Sequence, residues 1–271
     1  MNTISKITVL GTISEISALT NNRTSAGIVI EVDNNQIMFD PGIGTITQSL
    51  QSNIDLKKTT AILISNTNIS YCNDINAVIE QANKDLHLIC PNELLKHEDS
   101  ILTLTHVKNL KILSLSNDEI KQTNIKNISV EAQYNKNDAL SFKLTTTKYV
   151  LGYITKAKYS KQFVESFKDS NILIINLTEL KHEKNSKYLD FEEIIELIRE
   201  VNPELVILNG FSKKIIESDP LDISRKIKQE LQKDKVNIIK TQILPAKELM
   251  TINPESYNIR LKQKNLKGFF E

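Results

Sequence analysis

The sequence predicts an α/β protein with four layers, in which two β-sheets pack against each other and helices cover both outer faces (αββα). Short apolar segments alternate with amphipathic helical segments along the chain. Its 271 residues include no Pro/Gly/Ser-rich linker, charge block or low-complexity tract. A chain of this length can bury a large core. We therefore expect a single domain, residues 1–271, with two β-rich halves at about 1–125 and 126–271.

The strand predictions depend on runs of β-branched and aliphatic residues between turn signals. Gly27 precedes the second run, and Asp33-Asn34-Asn35 has the composition of a hairpin turn between the second and third. The predicted strands are 7–10, 28–32, 36–39, 61–64, 86–90, 111–115, 128–132, 139–145, 149–153, 172–176, 205–209 and 237–239.

The helix predictions depend on capping residues and on apolar side chains spaced at helical intervals. The clearest start is Asp190, where Glu193 stands three positions later as a capping-box partner. The predicted helices cover residues 45–51, 74–82, 91–96, 160–167, 190–201 and 222–234.

Composition is ordinary for a globular protein and excludes several classes. Lys and Arg number 34 and Asp and Glu 33, a net charge of +1 that does not indicate a nucleic-acid or membrane partner. No apolar run approaches the roughly 18 residues of a membrane span, and the N-terminus lacks a signal-peptide core. Cys72 and Cys90 do not form a disulfide framework. We expect a cytoplasmic protein with reduced thiols.

The most informative segment is the junction between a buried strand and a polar loop at residues 61–74, which reads AILISNTNISYCND. Other segments occur around it in a characteristic order: VLGT at 9–12, TSAGIVIE at 24–31, IMFDPGIG at 37–44, NIDL at 53–56, LGY at 151–153, YLDF at 188–191 and LVILNGFS at 205–212. Together they resemble the metallo-β-lactamase superfamily, and most closely its ribonuclease Z-like and phosphodiesterase-like branches. The resemblance implies a metallo-β-lactamase-like αββα sandwich.

The resemblance also implies that the metal site is degenerate. Active members carry His-x-His-x-Asp-His at this junction, where the present chain has Asn66, Asn68, Ser70 and Tyr71. Amides and hydroxyls hold zinc poorly. The remaining family ligand positions fall near Asn135, Lys156, Gly210 and Tyr188. An ammonium at position 156 would repel a divalent ion by several kcal/mol at an effective dielectric constant of about 20. We expect no metal and no other cofactor.

Two acidic residues of the presumed pocket remain, Asp40 and Asp74. In active members the first braces the metal loop, but an Asp before Pro-Gly also accepts hydrogen bonds from nearby backbone N–H groups. The second has the position of a helix N-cap. The predicted former active-site pocket comprises Asp40, Asn66, Asn68, Ser70, Tyr71, Asp74, Asn135, Lys156, Tyr188 and Gly210. No residue is predicted to be catalytic.

The histidines do not restore a metal site, because none has His-x-His or i, i+4 spacing. They are His87, His97, His106 and His182. A nucleophilic set of Cys72, His182 and Asp74 is conceivable, but the spacing does not require it. The basic run at 260–267 alternates with apolar residues and is typical of a solvated strand or tail rather than a phosphate site.

The sequence favours a catalytically inactive, metal-free protein that acts as a binding or partner subunit in RNA or nucleotide metabolism, paired with an active paralogue or with a second copy. One alternative is a hydrolase with a rebuilt site using Lys156, Tyr71 and Asp74. Another is a sensor that binds a small ligand in the former pocket. Because a buried ammonium needs compensation, we expect Lys156 to pair with Asp40 or Asp74 or to bind an anion.

Overall fold

Two seven-stranded sheets form the centre of the molecule in the computed structural model, which describes residues 5–82, 84–96, 100–117, 119–135, 139–180, 188–233 and 240–257. The first sheet has the order β14-β1-β2-β3-β4-β5-β6. Its strands are β1 (Lys6–Val9), β2 (Ile28–Val32), β3 (Asn35–Phe39), β4 (Thr59–Leu63), β5 (His87–Pro91), β6 (Lys111–Leu115) and β14 (Thr251–Ile252).

The second sheet has the order β13-β12-β11-β10-β9-β8-β7. Its strands are β7 (Ile120–Ile125), β8 (Ile128–Asn135), β9 (Ala139–Thr145), β10 (Val150–Ile154), β11 (Ile172–Asn176), β12 (Leu205–Asn209) and β13 (Gln242–Pro245). In each sheet one half is antiparallel and the other parallel: β3 to β6 run parallel, and so do β10 to β13.

Helices cover both outer faces. On the first sheet lie α1 (Thr45–Gln51), α2 (Ile69–Cys72), α3 (Ile75–Gln81) and α4 (Leu104–Val107). The second half of the chain contributes α5 (Lys161–Ser166), α6 (Phe191–Val201), α7 (Lys213–Glu217) and α8 (Pro220–Gln232). The core between the sheets contains Phe39, whose ring centroid lies 5.9 Å from that of Phe142 and 4.5 Å from that of Tyr153. The predicted αββα architecture is confirmed.

The predicted bounds of five strands agree with the structure, and two of these strands, β11 and β12, are buried along their whole length. The bounds predicted at 28–32, 111–115, 139–145, 172–176 and 205–209 agree with those of β2, β6, β9, β11 and β12. The Asp190 capping box is also confirmed: Asp190 Oδ1 accepts from Glu193 N at 2.9 Å, and Glu193 Oε2 accepts from Asp190 N at 3.2 Å.

The edge strands β7, β13 and β14 and several short helices were missed. β7 (Ile120–Ile125) is mostly polar with one well-buried residue, and β13 and β14 are short edge strands. The helix predicted at 91–96 is a single 3₁₀ turn, Asn92–Leu95, because Pro91 still belongs to β5. The predicted strand at 237–239 and the last residue of the helix at 222–234 lie outside the described residues. Among the helices that the structure describes, none is long and apolar enough to cross a membrane.

Candidate ligand pocket at the carboxyl ends of the strands

The loops that follow β3, β4, β10, β11 and β12 meet at one edge of the two sheets, because the carboxyl ends of parallel strands lie side by side. This topology brings together three predicted pocket residues from distant parts of the chain. Lys156 Nζ lies 3.4 Å from Asn66 Oδ1 and 5.1 Å from the ring centroid of Tyr71. Two positions that the family resemblance assigns to metal ligands therefore hold an ammonium and an aromatic ring in contact.

Asp40 ties the loop after β3 to the loop after β4. Its Oδ1 accepts a hydrogen bond from Ser65 N at 2.6 Å, and its Oδ2 accepts from Ser65 Oγ and from Tyr153 Oη, both at 2.7 Å. Burial raises the pKa of the carboxyl to about 6, although the Ser65 and Tyr153 donors and the nearby Lys156 charge lower it. The carboxylate thus accepts bonds from a backbone N–H, as one sequence interpretation proposed, and from two side-chain hydroxyls. Lys156 acts on it through space.

Tyr71 is buried beside Lys156. Burial and the Asp40 charge both raise the pKa of its hydroxyl above the ordinary value, so the phenol stays neutral. The polar side chains of Asn176 and Ser14 lower that pKa. Burial lowers the pKa of Lys156, and the field of Asp40 opposes this effect.

A cavity of about 680 Å³ lies next to these residues, and Lys156 belongs to its lining whereas Asn66 and Tyr71 do not. Of the predicted residues, Asn68, Ser70, Lys156 and Tyr188 line it. The sequence prediction missed the other lining residues, which are Ser14, Glu15, Ile16, Thr178, Glu179, Leu180, Ser212 and Lys214. Thr178 and Ser212 follow β11 and β12 closely, so their position after parallel strands was a signal that could have identified them.

Three predicted pocket residues, Asp74, Asn135 and Gly210, do not line this cavity and stabilise the structure around it instead. Asp74 Oδ2 accepts from Ile46 N at 3.3 Å, near the start of α1, so it caps that helix rather than its own. Asn135 Nδ2 donates to Ser141 Oγ at 3.0 Å and to Thr155 O at 2.9 Å, next to Lys156. It borders a second cavity of about 580 Å³.

Gly210 has a φ of 58°, and a Cβ there would lie 2.4 Å from Asn176 Cγ. Glycine at this position therefore allows the ends of β11 and β12 to pack closely, and it supplies no functional side chain.

The alternative nucleophilic set of Cys72, His182 and Asp74 is described only in part, because His182 lies outside the described residues. Cys72 Sγ donates to Thr67 O and Asn68 O, and burial together with the Asp40 charge raises the thiol pKa to about 12. His106 bonds Glu80 and Asn76 on α3, away from the cavity. His97, His182 and the basic run at 260–267 lie outside the described residues.

Glu248 supports the wall of the cavity from the far end of the chain. Its Oε1 accepts from Thr12 N at 3.0 Å, Thr12 Oγ1 at 2.8 Å and Thr24 N at 3.1 Å. Burial raises the pKa of this carboxyl, against the effect of these donors. The contact fixes the segment that carries Ser14, which lines the cavity.

Comparison with known proteins gives the following likenesses. No family model matches the sequence. Over 213 residues the chain is 22% identical to the uncharacterized protein MJ1374 of Methanocaldococcus jannaschii, covering 73% of this chain and 79% of that protein. The structure resembles the metallo-β-lactamase fold protein YhfI of Bacillus subtilis, with a TM-score of 0.70 and 12% identity over 92% of this chain and 99% of YhfI. This protein has the metallo-β-lactamase fold.

The human tRNase Z short form, ELAC1, shares the metallo-β-lactamase fold with this chain, with a TM-score of 0.65 and 13% identity over 91% of this chain and 98% of ELAC1. These likenesses confirm the predicted fold. They include a ribonuclease Z-like structure, as the sequence resemblance predicts. At such identities they concern the fold alone, so the chemistry must be argued from the residues of the pocket.

The residues of this metallo-β-lactamase-fold pocket do not fit a divalent metal. Within the described ranges, no group of three or more His, Cys, Asp or Glu side chains is placed to hold one. The family ligand positions carry the amide of Asn66, the neutral phenol of Tyr71 and the ammonium of Lys156, which has no lone pair to offer a metal. Divalent zinc prefers imidazole, thiolate or carboxylate, and an adjacent ammonium opposes its charge.

Proposed function

We propose that this protein is a metal-independent binding protein of the metallo-β-lactamase fold, which holds a small polar molecule in the cavity at the carboxyl ends of the strands. The observation that carries the proposal is the contact between Lys156 and Tyr71, 5.1 Å from ammonium to ring centroid. These side chains stand at positions where the family resemblance places metal ligands, and the buried ring of Tyr71 packs against the ammonium of Lys156, which lines the cavity.

The size and charge of the cavity support a small ligand over a nucleic acid. Its volume of about 680 Å³ is typical of small-molecule sites. The charged lining residues are balanced, with Lys156 and Lys214 against Glu15 and Glu179. A polyanion is held by a surface of one sign, which this lining does not offer.

The contacts favour binding over a rebuilt hydrolase. Asp74 caps α1 and lies away from the cavity lining, and burial keeps the Tyr71 hydroxyl protonated. A general base must be deprotonated and within reach of the substrate. A role as a partner subunit of an active paralogue or of a second copy stays a prediction.

The first test concerns metal. Protein purified without chelator is expected to contain well under one zinc, iron or manganese per chain, since no group of three or more His, Cys, Asp or Glu side chains among the described residues is placed to hold an ion. Its thermal midpoint is expected to be the same with and without EDTA, because a metal stabilises a fold only by binding to it. Metal analysis by plasma mass spectrometry and a thermal scan measure both. Stoichiometric metal that EDTA removes together with stability would contradict the proposal.

The second test concerns the cavity. Acetate, inorganic phosphate, glycine, choline and glucose provide probes of different charge for thermal-shift measurements at constant ionic strength. At least one is expected to raise the midpoint of the wild type. Thr178→Trp, which fills the cavity, should abolish that rise, whereas Thr105→Trp on the exposed face of α4 should preserve it. If no probe acts on the wild type, or if Thr178→Trp responds like the wild type, the cavity is not the binding site.

A further inference from the structure

We propose that His106 is a pH-dependent clasp between α4 and α3. It holds the two helices together while its imidazole carries two protons, and it releases α4 when the ring loses one of them. His106 lines neither of the two cavities described above. The clasp is therefore a property of the outer helical layer and does not depend on the function proposed for the pocket.

Both ring nitrogens of His106 face an oxygen atom of α3. Nε2 lies 2.6 Å from Glu80 Oε1, and Nδ1 lies 2.8 Å from Asn76 Oδ1. A neutral imidazole has one N–H group, whereas the doubly protonated ring has two. Only the doubly protonated ring donates to both oxygens at once. The His106 side chain is 13% exposed, so water has little access to replace either partner.

The orientation of the Asn76 amide is fixed by two other contacts. Its Nδ2 donates to Ile101 O at 2.7 Å, and its Oδ1 accepts from Thr103 N at 3.1 Å. The oxygen of this amide, and not its NH₂ group, therefore faces the ring of His106. Because an amide oxygen can only accept, a hydrogen bond at Nδ1 requires a proton on that nitrogen.

Thr103 provides an alternative partner for the neutral ring. Thr103 is the N-cap residue of α4, and its Oγ1 lies 2.7 Å from His106 Nδ1. When Nδ1 loses its proton, the Thr103 hydroxyl donates to the nitrogen lone pair, while Asn76 Oδ1 faces that lone pair and repels it. Loss of the proton thus exchanges a hydrogen bond between two helices for one at the start of α4. The attachment of α4 to α3 is weakened.

The charges near the ring give the direction of the pH dependence. Glu80 is the charged residue of α3, and Lys108 directly follows α4; residues 97–99 lie outside the described residues. Glu80 favours the charged ring, but it is 67% exposed, so water and salt screen its effect. The clasp is therefore closed when histidine is protonated and opens as pH rises through the range in which histidines change charge, about pH 5 to 8.

Amide hydrogen exchange of the full chain, measured by NMR at pH 5.5 and pH 7.5, tests the clasp. The reporters are the hydrogen-bonded amides of Val107, Asn109 and Leu110. Their protection factors are corrected for the pH dependence of intrinsic exchange. The reference is His106→Asn, which places an NH₂ group near the position of Nδ1 and cannot titrate. Relative to this variant, wild-type protection should fall by about tenfold or more between the two pH values, as expected for the loss of one charge-assisted hydrogen bond.

His87→Asn is the matched control, because His87 is the other histidine among the described residues and begins β5. It should keep the pH dependence of the wild type. The same pH dependence in wild type and His106→Asn would overturn the clasp.

A circular-dichroism spectrum that matches the wild type shows that His106→Asn is folded. If it is not, Glu80→Gln decides. Its amide oxygen still accepts from Nε2 but carries no charge, so the fall in protection should move to lower pH by about half a unit. A fall at the same pH as in the wild type would contradict the proposal.

Discussion

Replacing Gly42 with alanine is expected to lower the free energy of unfolding by about 3 kcal/mol or more, because the new methyl group would collide with backbone atoms. A Cβ at this position would lie 2.0 Å from Ser70 O and 2.1 Å from Ser25 O. Side chains relieve a collision by changing rotamer, but these carbonyl oxygens belong to the main chain. Two further segments would therefore have to move away from residue 42.

The same displacement would reach the cavity, because Ser70 lines it and Tyr71 follows directly. Gly44→Ala is the matched control two residues later. There the nearest atom to the new Cβ is the side-chain Thr24 Cγ2 at 3.3 Å, and the remaining cost is the φ of 93°. Such strain costs about 1 kcal/mol. Urea denaturation of both variants measures the difference, and equal stabilities would show that the loop adapts to the methyl group.

The fold could be predicted where burial on both faces leaves a continuous apolar run. β11 (Ile172–Asn176) and β12 (Leu205–Asn209) are buried along their whole length, and their predicted bounds agree with the structure. β7 (Ile120–Ile125) was missed because an edge strand needs few apolar residues. From the sequence alone, the polar composition of β7 cannot be told from that of a loop.

In the candidate site, only residues that closely follow a predicted strand could be placed from the sequence. Lys156 and Asn66 follow buried strands, and the parallel topology brings them together. Asp74 was assigned to the pocket because its loop was treated as irregular, whereas the short helix α2 (Ile69–Cys72) carries the chain past the cavity, so that Asp74 caps α1. Glu248 bonds Thr12 across 236 positions, and no local pattern signals a contact of that range.

The stability of the protein is expected to fall as pH rises from 4 to 7 because of Asp40. Burial raises the pKa of this carboxyl from 3.8 to about 6 on folding. An acid whose pKa is raised in the fold holds its proton longer when folded than when unfolded. Its contribution to stability is therefore greatest at low pH and is lost as pH rises from the unfolded pKa towards the folded one. Asp40→Asn cannot titrate and removes this contribution. Between pH 4 and pH 7 the stability of the wild type should thus fall by about 2 kcal/mol relative to Asp40→Asn.

Comparing the two proteins at each pH cancels every other titrating group and the constant cost of replacing the carboxylate. Urea denaturation at half-unit steps measures the difference. Tyr153→Phe tests the cause, because it removes the 2.7 Å hydrogen bond from Tyr153 Oη that favours the ionised form. The pKa of Asp40 should rise further in that variant, so the fall in stability should extend to higher pH, whereas Tyr149→Phe should follow the wild type. A difference between wild type and Asp40→Asn that stays flat from pH 4 to pH 7 would show that the Ser65 and Tyr153 donors offset the burial of this carboxylate in full. Asp40 would then have the same pKa in the folded protein as in the unfolded chain.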